Sequence, residues 1–290
     1  MPIDAFTDHA CLIVSGPDQQ GLVAAVTALV ARHGGNIVSL DQHSTDPVGG
    51  DFFQRVVFHR EGLAVQLDDI RADVDRTLAP FEMSWVLRDI SIPKRMAILA
   101  TTDDHCLLDL LWRHRRGALP VEIPMVLSNH TTTAEDVTSF GVPFVHVPSQ
   151  KGPDKSESEA AILAHLAEAK VDFVVLARYM QILSQDFLEK VGVPVINIHH
   201  SFLPAFIGAN PYQKAKDRGV KLIGATAHYV TQDLDEGPII EQDVVRVTHA
   251  DSVPELRRRG ADVERAVLSR AVLWHAQDRV LRHGNHTIVF

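Results

Sequence analysis

Between Met96 and Ala177, short apolar runs alternate with segments whose apolar residues recur at helical spacing. This alternation leaves the chain few architectures. Met96–Thr101, Ile123–Ser128, Pro143–Val147 and Phe173–Ala177 read as buried strands. His105–Arg115, with Leu107, Leu108, Leu111 and Trp112 along one side, and Thr133–Phe140 and Lys155–Ala169 read as the helices between them. Strands that are apolar on both faces and joined by helices predict a doubly wound, mostly parallel, Rossmann-like α/β sheet, with its ligand site at the strand carboxyl ends. A polar loop is expected at Ser149–Lys155, another short strand at Val193–Ile198, and a long amphipathic helix over Asp262–Leu281. No internal repeat or low-complexity tract interrupts this order.

The residues before Asp89 follow a different rhythm. His9–Ser15 reads as a strand and Leu22–His33 as a helix stopped by Gly34-Gly35. Strands at Asn36–His43 and Asp51–His59, a helix at Leu67–Leu78 and a strand at Glu82–Asp89 follow. The order βαββαβ predicts a small α+β, ferredoxin-type sheet with helices on one face. The segment DISIPK, with Pro93 and the basic pair Lys94-Arg95, suits a linker. Two domains are therefore expected, 1–90 and 95–290.

Composition narrows the function classes. The chain has 290 residues, 46% hydrophobic and 22% charged, as in ordinary globular proteins. A formal net charge of −9 argues against nucleic-acid binding. The run Arg257-Arg258-Arg259 sits among acidic residues in a helix-like stretch and reads as a solvated or interface face. No apolar run reaches membrane-spanning length, so no membrane partner is expected. The N-terminus lacks the basic flank and apolar core of a signal peptide, and two cysteines, Cys11 and Cys106, make no disulfide framework. A cytoplasmic location is expected.

The chemistry concentrates between Val195 and Gln242. Asn197 and His199 lie at i and i+2 at a strand end, so their side chains leave the same face. Asp235 arrives on a loop between two further apolar strands. A carboxamide can donate to a developing oxyanion, an imidazole can move protons, and a carboxylate can orient water or tune the imidazole. His200, adjacent to His199, is expected to face the other way, so the two make a poor chelating pair and no metal is expected. His228, in ATAHYV, either shapes the site or is a buried structural residue.

In order, Asn197, His199, Ser201, Leu203, Pro204, Asp235 and Gly237 form an Asn-x-His, a Ser-x-Leu-Pro loop and a distal Asp before a Gly. This stretch resembles the folate-dependent formyltransferase and hydrolase superfamily. The fuller wording HHSFLPAFIGANPY and DLDEGPIIEQDV looks like its hydrolytic branch, the formyltetrahydrofolate deformylases. The resemblance implies a catalytic set of Asn197, His199 and Asp235, 10-formyltetrahydrofolate as substrate, and no cofactor. It also implies that the loop Leu176–Leu183 lines a folate pocket, with Met180, Gln181, Ile182 and Leu183 as contacts, joined by Gln232 and Leu234. Spacing alone leaves Met180, Ile182 and Leu183 equally readable as core.

The nucleotide-using transferases of this superfamily place a glycine-rich phosphate cradle after the first strand. Here Thr101-Thr102-Asp103-Asp104 has no glycine and carries two carboxylates, which oppose a phosphate. That departure favours water as formyl acceptor. Two rival readings are a formyltransferase with another amine acceptor and a non-enzymatic sensor. The N-terminal GPDQQGLVA and GGNI resemble an ACT domain, a module that often binds amino acids between two copies. The resemblance implies an amino-acid effector near Asp18, Gly21 and Asn36, and assembly as a homodimer or homotetramer. The turn's free N–H groups could meet a carboxylate at a helix N-terminus, or Gly16 and Gly21 merely permit the turn.

Overall fold

The structure is a computed structural model that describes residues 6–46, 48–148, 155–205 and 211–290. Most of the polar loop expected at Ser149–Lys155, and the centre of HHSFLPAFIGANPY, lie outside the described residues. The chain divides into two compact units. One comprises Met1–Pro93, Gln277–His283 and Ile288–Phe290; the other comprises Lys94–Ala276 and Gly284–Thr287.

In the first unit, β1 (His9–Pro17), α1 (Leu22–Arg32), β2 (Asn36–Ser44), β3 (Asp51–His59), α2 (Leu63–Leu78) and β4 (Ser84–Asp89) build one antiparallel sheet in the order β2-β3-β1-β4. Period-2 alternation sends Ala10, Leu12 and Val14 of β1, with Val56 and Phe58 of β3, to one face. There they bury Val26, Leu29 and Val30 of α1 and Ile70 and Val74 of α2. The opposite face is partly covered by the C-terminal segment. Arg55 donates to the carbonyls of Gln277 and Asp278, Arg88 pairs with Asp278 at 3.1 Å, and His283 packs edge-on against Phe53. No local signal in the first ninety residues announces this return.

The second unit runs β5 (Lys94–Ala100), α3 (His105–Arg115), β6 (Val121–Glu122), β7 (Val126–Ser128), α4 (Ala134–Ser139), β8 (Phe144–His146), α5 (Ser156–Glu168) and β9 (Phe173–Ala177). It continues through α6 (Gln185–Val191), β10 (Val195–His199), α7 (Pro211–Asp217), β11 (Leu222–Tyr229), β12 (Ile239–Arg246) and α8 (Val253–Ala276). A two-stranded sheet, β13 (Val280–His283) with β14 (His286–Val289), ends the chain.

The large sheet has the order β12-β11-β10-β9-β5-β7-β8, with β6 beside β5. Pairing is parallel from β10 to β8 and antiparallel at β10–β11 and β11–β12. Strands β5 and β9 are almost wholly buried, as their unbroken apolar runs require. On one face Ala97, Leu99, Val174 and Leu176 pack against Ile162 and Leu166 of α5 and Phe187 of α6. Fully burying Phe187 contributes roughly 2–3 kcal/mol. Strand order reverses at β5 and β9, so the crevice of a doubly wound sheet opens above their carboxyl ends.

The helix read at Asp262–Leu281 is α8, Val253–Ala276, and both ends need correction. It starts earlier because Ser252 and Glu255 form a capping box: the Ser252 N–H donates to Glu255 Oε2 at 2.8 Å and the Glu255 N–H donates to Ser252 Oγ at 3.5 Å. It stops earlier because Gln277 begins the segment that joins the first unit.

Candidate active site

A cleft of about 770 Å³ opens at the carboxyl ends of β9 and β10. Asn197 and His199 enter it from β10, His228 from β11 and Asp235 from the turn between β11 and β12. Asn197 pairs directly with His228 across the two strands, and His199 with Thr226. The period of the strands therefore brings both β10 side chains and His228 to one rim.

Asp235 reaches them because its turn folds back tightly. Its own φ is +60°, and a Cβ on Gly237 would stand 1.8 Å from the Tyr229 carbonyl oxygen. Only glycine fits that approach, which is the physical reason for Gly two residues after the Asp. The Ser-x-Leu-Pro loop is held from beneath. Thr226 Oγ1 donates to the Ser201 carbonyl and accepts from the Leu203 N–H, and Gln242 Nε2 donates to the Leu203 carbonyl.

His199 Nδ1 lies 3.2 Å from Asp235 Oδ1, and the two side chains are each 8% exposed. Nδ1 donates to the carboxylate, and Nε2 is buried without a hydrogen-bond partner. Burial pushes the Asp235 carboxyl up, but the His199 hydrogen bond and the nearby imidazoles outweigh it and hold the group below its ordinary value. Asp235 therefore stays ionised.

His228 Nδ1 donates to the Tyr229 carbonyl at 3.0 Å, which leaves Nε2 as the acceptor of Asn197 Nδ2 at 3.3 Å. Burial lowers the His228 pKa and keeps that ring neutral. One amide hydrogen of Asn197 is thus engaged and the other is available to the cavity.

The structure corrects the orientation expected of His200. The strand ends at His199, so alternation no longer applies, and the two rings stack with centroids 5.2 Å apart and planes 23° apart. Arg178 donates to His200 Nδ1, and burial with the Arg178 charge lowers the His200 pKa to about 4. Both Nδ1 atoms of the His pair are therefore in use.

Met180, Gln181, Ile182, Leu183, Gln232 and Leu234 all line the cleft. Met180 and Ile182 are 56% and 63% exposed, so they form its wall and not the core. Leu183, 9% exposed, belongs to the core cluster and shows the cleft only one surface. The loop is anchored just beyond by Ser184, which caps α6 by accepting from the Phe187 N–H and also bonds Glu159.

The effector candidates are less united. Asp18 and Gly21 line a separate depression of about 500 Å³ with Gln19, Gln42 and Phe52, whereas Asn36 does not. The Asp18 N–H is already spent on the Gly50 carbonyl at 2.8 Å, so the turn has fewer free donors than expected.

Sequence reasoning missed a charged group in the cleft. Arg178 lies 2.9 Å from Asp103 and 3.5 Å from Glu264, and Glu264 accepts from His105 at 2.7 Å and Tyr212 at 2.6 Å. Tyr212 comes this close because residue 260 of α8 is glycine: a Cβ there would lie 1.9 Å from its hydroxyl oxygen. Burial opposes the Glu264 charge, yet these partners take its pKa down to about 2. The repulsion expected of Asp103 is therefore largely cancelled by Arg178.

Arg257 and Arg258 are exposed, as a solvated face requires, and also border the cleft, while Arg259 pairs with Asp251 at 3.0 Å. Ligand atoms of His105, Cys106 and Glu264 lie within 4.8 Å of one another. Glu264 is engaged by Arg178, His105 and Tyr212, and burial pushes the Cys106 thiol up.

A switch-point crevice with Asn-x-His at one strand end and Asp-x-Gly on the next turn defines a formyltransferase-type catalytic domain. The formyl transferase family model matches residues 94–272, and the ACT domain model matches residues 12–73. The chain is 59% identical over 284 residues to a formyltetrahydrofolate deformylase of Mycobacterium bovis, covering 98% of this chain and 91% of that protein. It belongs to the formyltetrahydrofolate deformylase family.

The crystal structure of such a deformylase from Pseudomonas syringae pv. tomato superposes with a TM-score of 0.93 at 44% identity, covering 97% and 94% of the two chains. A glycinamide ribonucleotide transformylase from Symbiobacterium toebii matches only 68% of this chain and 94% of its own, with a TM-score of 0.65 at 32% identity.

Proposed function

We propose that this chain hydrolyses 10-formyltetrahydrofolate to tetrahydrofolate and formate. The carrying observation is the meeting of Asn197, His199 and Asp235 around one cleft large enough for a folate. Met180, Ile182, Leu183 and Leu234 supply apolar wall for the pteridine, with Gln181 and Gln232 as polar contacts. The formyl carbonyl sits against the free amide hydrogen of Asn197, whose direction is set by His228.

Water held by the Asp235 carboxylate attacks the formyl carbon and gives up a proton to His199 Nε2 as the C–O bond forms. Asn197 donates to the oxyanion, a contact typically contributing ~3 kcal/mol. His199, hydrogen-bonded to Asp235 through Nδ1, carries a proton on Nε2 to the folate N10 as the C–N bond breaks, leaving formate and the secondary amine. The organic substrate carries the whole reaction, so no cofactor enters this scheme.

The match of hydrolytic relatives over nearly the whole chain, against a transformylase match confined to about two thirds, favours water over an amine acceptor. We further assign the N-terminal unit to assembly and control: a homodimer or homotetramer with a small amino acid bound near Asp18 and Gly21. No helix among the described residues is long and apolar enough to cross a membrane, and a cytoplasmic enzyme fits that.

One assay tests these readings together. The protein is incubated with 10-formyltetrahydrofolate alone, and formate and tetrahydrofolate are followed, with and without added glycine and other amino acids. Release of formate without any amine acceptor is expected, at a rate that amino acids change. Formate that forms only when an amine nucleotide is added makes the protein a transferase instead.

A further inference from the structure

Arg178 is a buried, doubly paired charge in the cleft, and the scheme above gives it no part. It follows β9 with φ +59°, a left-handed conformation that a non-glycine residue adopts only when its surroundings over-determine it. Thr101 Oγ1 donates to its carbonyl at 2.7 Å. Its side chain is 11% exposed, and the guanidinium is gripped by Asp103 at 2.9 Å and Glu264 at 3.5 Å. Glu264 is itself fixed by His105 and Tyr212.

The remaining guanidinium edge points at His200 Nδ1. A guanidinium cannot accept a proton and cannot release one, so the imidazole nitrogen facing it must carry a lone pair. His200 is thereby fixed as the neutral ring protonated on Nε2. That ring lies parallel to His199, which Asp235 holds by its edge. His199 is clamped from two directions, through Nδ1 by Asp235 and across its face by His200.

We propose that Arg178 is a positioning residue for the hydrolysis: it holds His200 as a neutral ring stacked on His199. His199 can then take up the proton it passes to the folate nitrogen without a second cation against its face. The proposal rests on the hydrolase reading. The charged and titratable groups facing His200 are Arg178, Glu264, His199 and Asp235, with the Tyr212 ring 6.1 Å away. Burial opposes its protonation most and Arg178 next, while Glu264 and Asp235 favour it. Removing the cation leaves burial as the main opposition while Glu264 and Asp235 still favour the charged ring, so the His200 pKa moves up from about 4.

The test is the pH profile of formate release by the full chain. In Arg178→Gln, kcat gains an acid limb that the parent lacks, falling at least threefold between pH 7 and 5. In Arg178→Gln with His200→Phe, which stacks but cannot titrate, that limb disappears. His200→Asn leaves the Arg178 ion pairs intact, so its folding is not at issue if Arg178→Gln is insoluble. It loses the stack, and kcat drops at least tenfold while KM moves less than threefold. A profile for Arg178→Gln parallel to the parent's overturns the proposal, as does an undiminished kcat in His200→Asn. Absence of formate release by the parent protein would instead overturn the hydrolase reading.

Discussion

Replacing Asp235 by Asn removes one charge and almost nothing else. Asn is the substitution of choice because the residue sits at φ +60°, which Asn tolerates better than most side chains. The carboxylate oxygen is 3.2 Å from His199 Nδ1 in a pair whose side chains are each 8% exposed. At an effective dielectric of about 20, a carboxylate stabilises an imidazolium at that distance by ~5 kcal/mol. The Asn carbonyl still accepts from Nδ1, so part of this is retained and ~4 kcal/mol is the working figure. At ~1.4 kcal/mol per factor of ten, that is a fall of about 10³-fold in kcat. The loss falls on kcat because the charge develops on His199 only during proton transfer and because water loses its anchor. The assay is formate release under saturating 10-formyltetrahydrofolate, with KM and thermal midpoint measured on the same preparation. Both should stay close to the parent's. A variant with kcat within threefold of the parent would falsify the role given to Asp235 and the dielectric reasoning with it.

Two further outcomes follow from the buried ion pairs and from the division into units. Glu264 has its pKa lowered from 4.5 to about 2 in the folded chain, so the stability it confers is present above pH 4.5 and is lost as pH falls toward 2. Glu264→Gln should cost about 3 kcal/mol at pH 7, read by urea titration, and flatten the acid dependence across that window; an unchanged midpoint would show the pair to be energetically silent. A chain ending at Ala276 should lose cooperative unfolding of the N-terminal unit, because Arg55, Arg88 and Phe53 lose their C-terminal partners. Limited proteolysis reads this directly, and protection of residues 6–93 equal to that of the full chain would show the return segment to be dispensable.

Much was legible in the sequence because it is local. The unbroken apolar runs of β5 and β9 follow from burial on both faces, and such burial is written in the order of residues; on α3 the apolar side was read less well, since Leu107 and Leu111 are buried but Trp112 is 49% exposed. Asn197 and His199 share a rim because they lie at i and i+2 on one strand, and the need for glycine at 237 is imposed by a turn only eight residues from Tyr229. What only the tertiary structure decided is where sequence-distant charges meet. Alternation along β10 stops at His199, so the stack of His200 on it depends on a guanidinium arriving from the end of β9. Arg178, Asp103 and Glu264 are separated by 75 residues or more, and nothing in their local spacing marks them as partners. Arg257 and Arg258 border the cleft while staying exposed, and the return of residues 277–283 to the first unit is a contact across the whole length of the chain. Hydrophobic periodicity reports whether a residue is buried. The identity of its charged neighbour depends on the sheet order, which brings β5, β9 and β10 side by side.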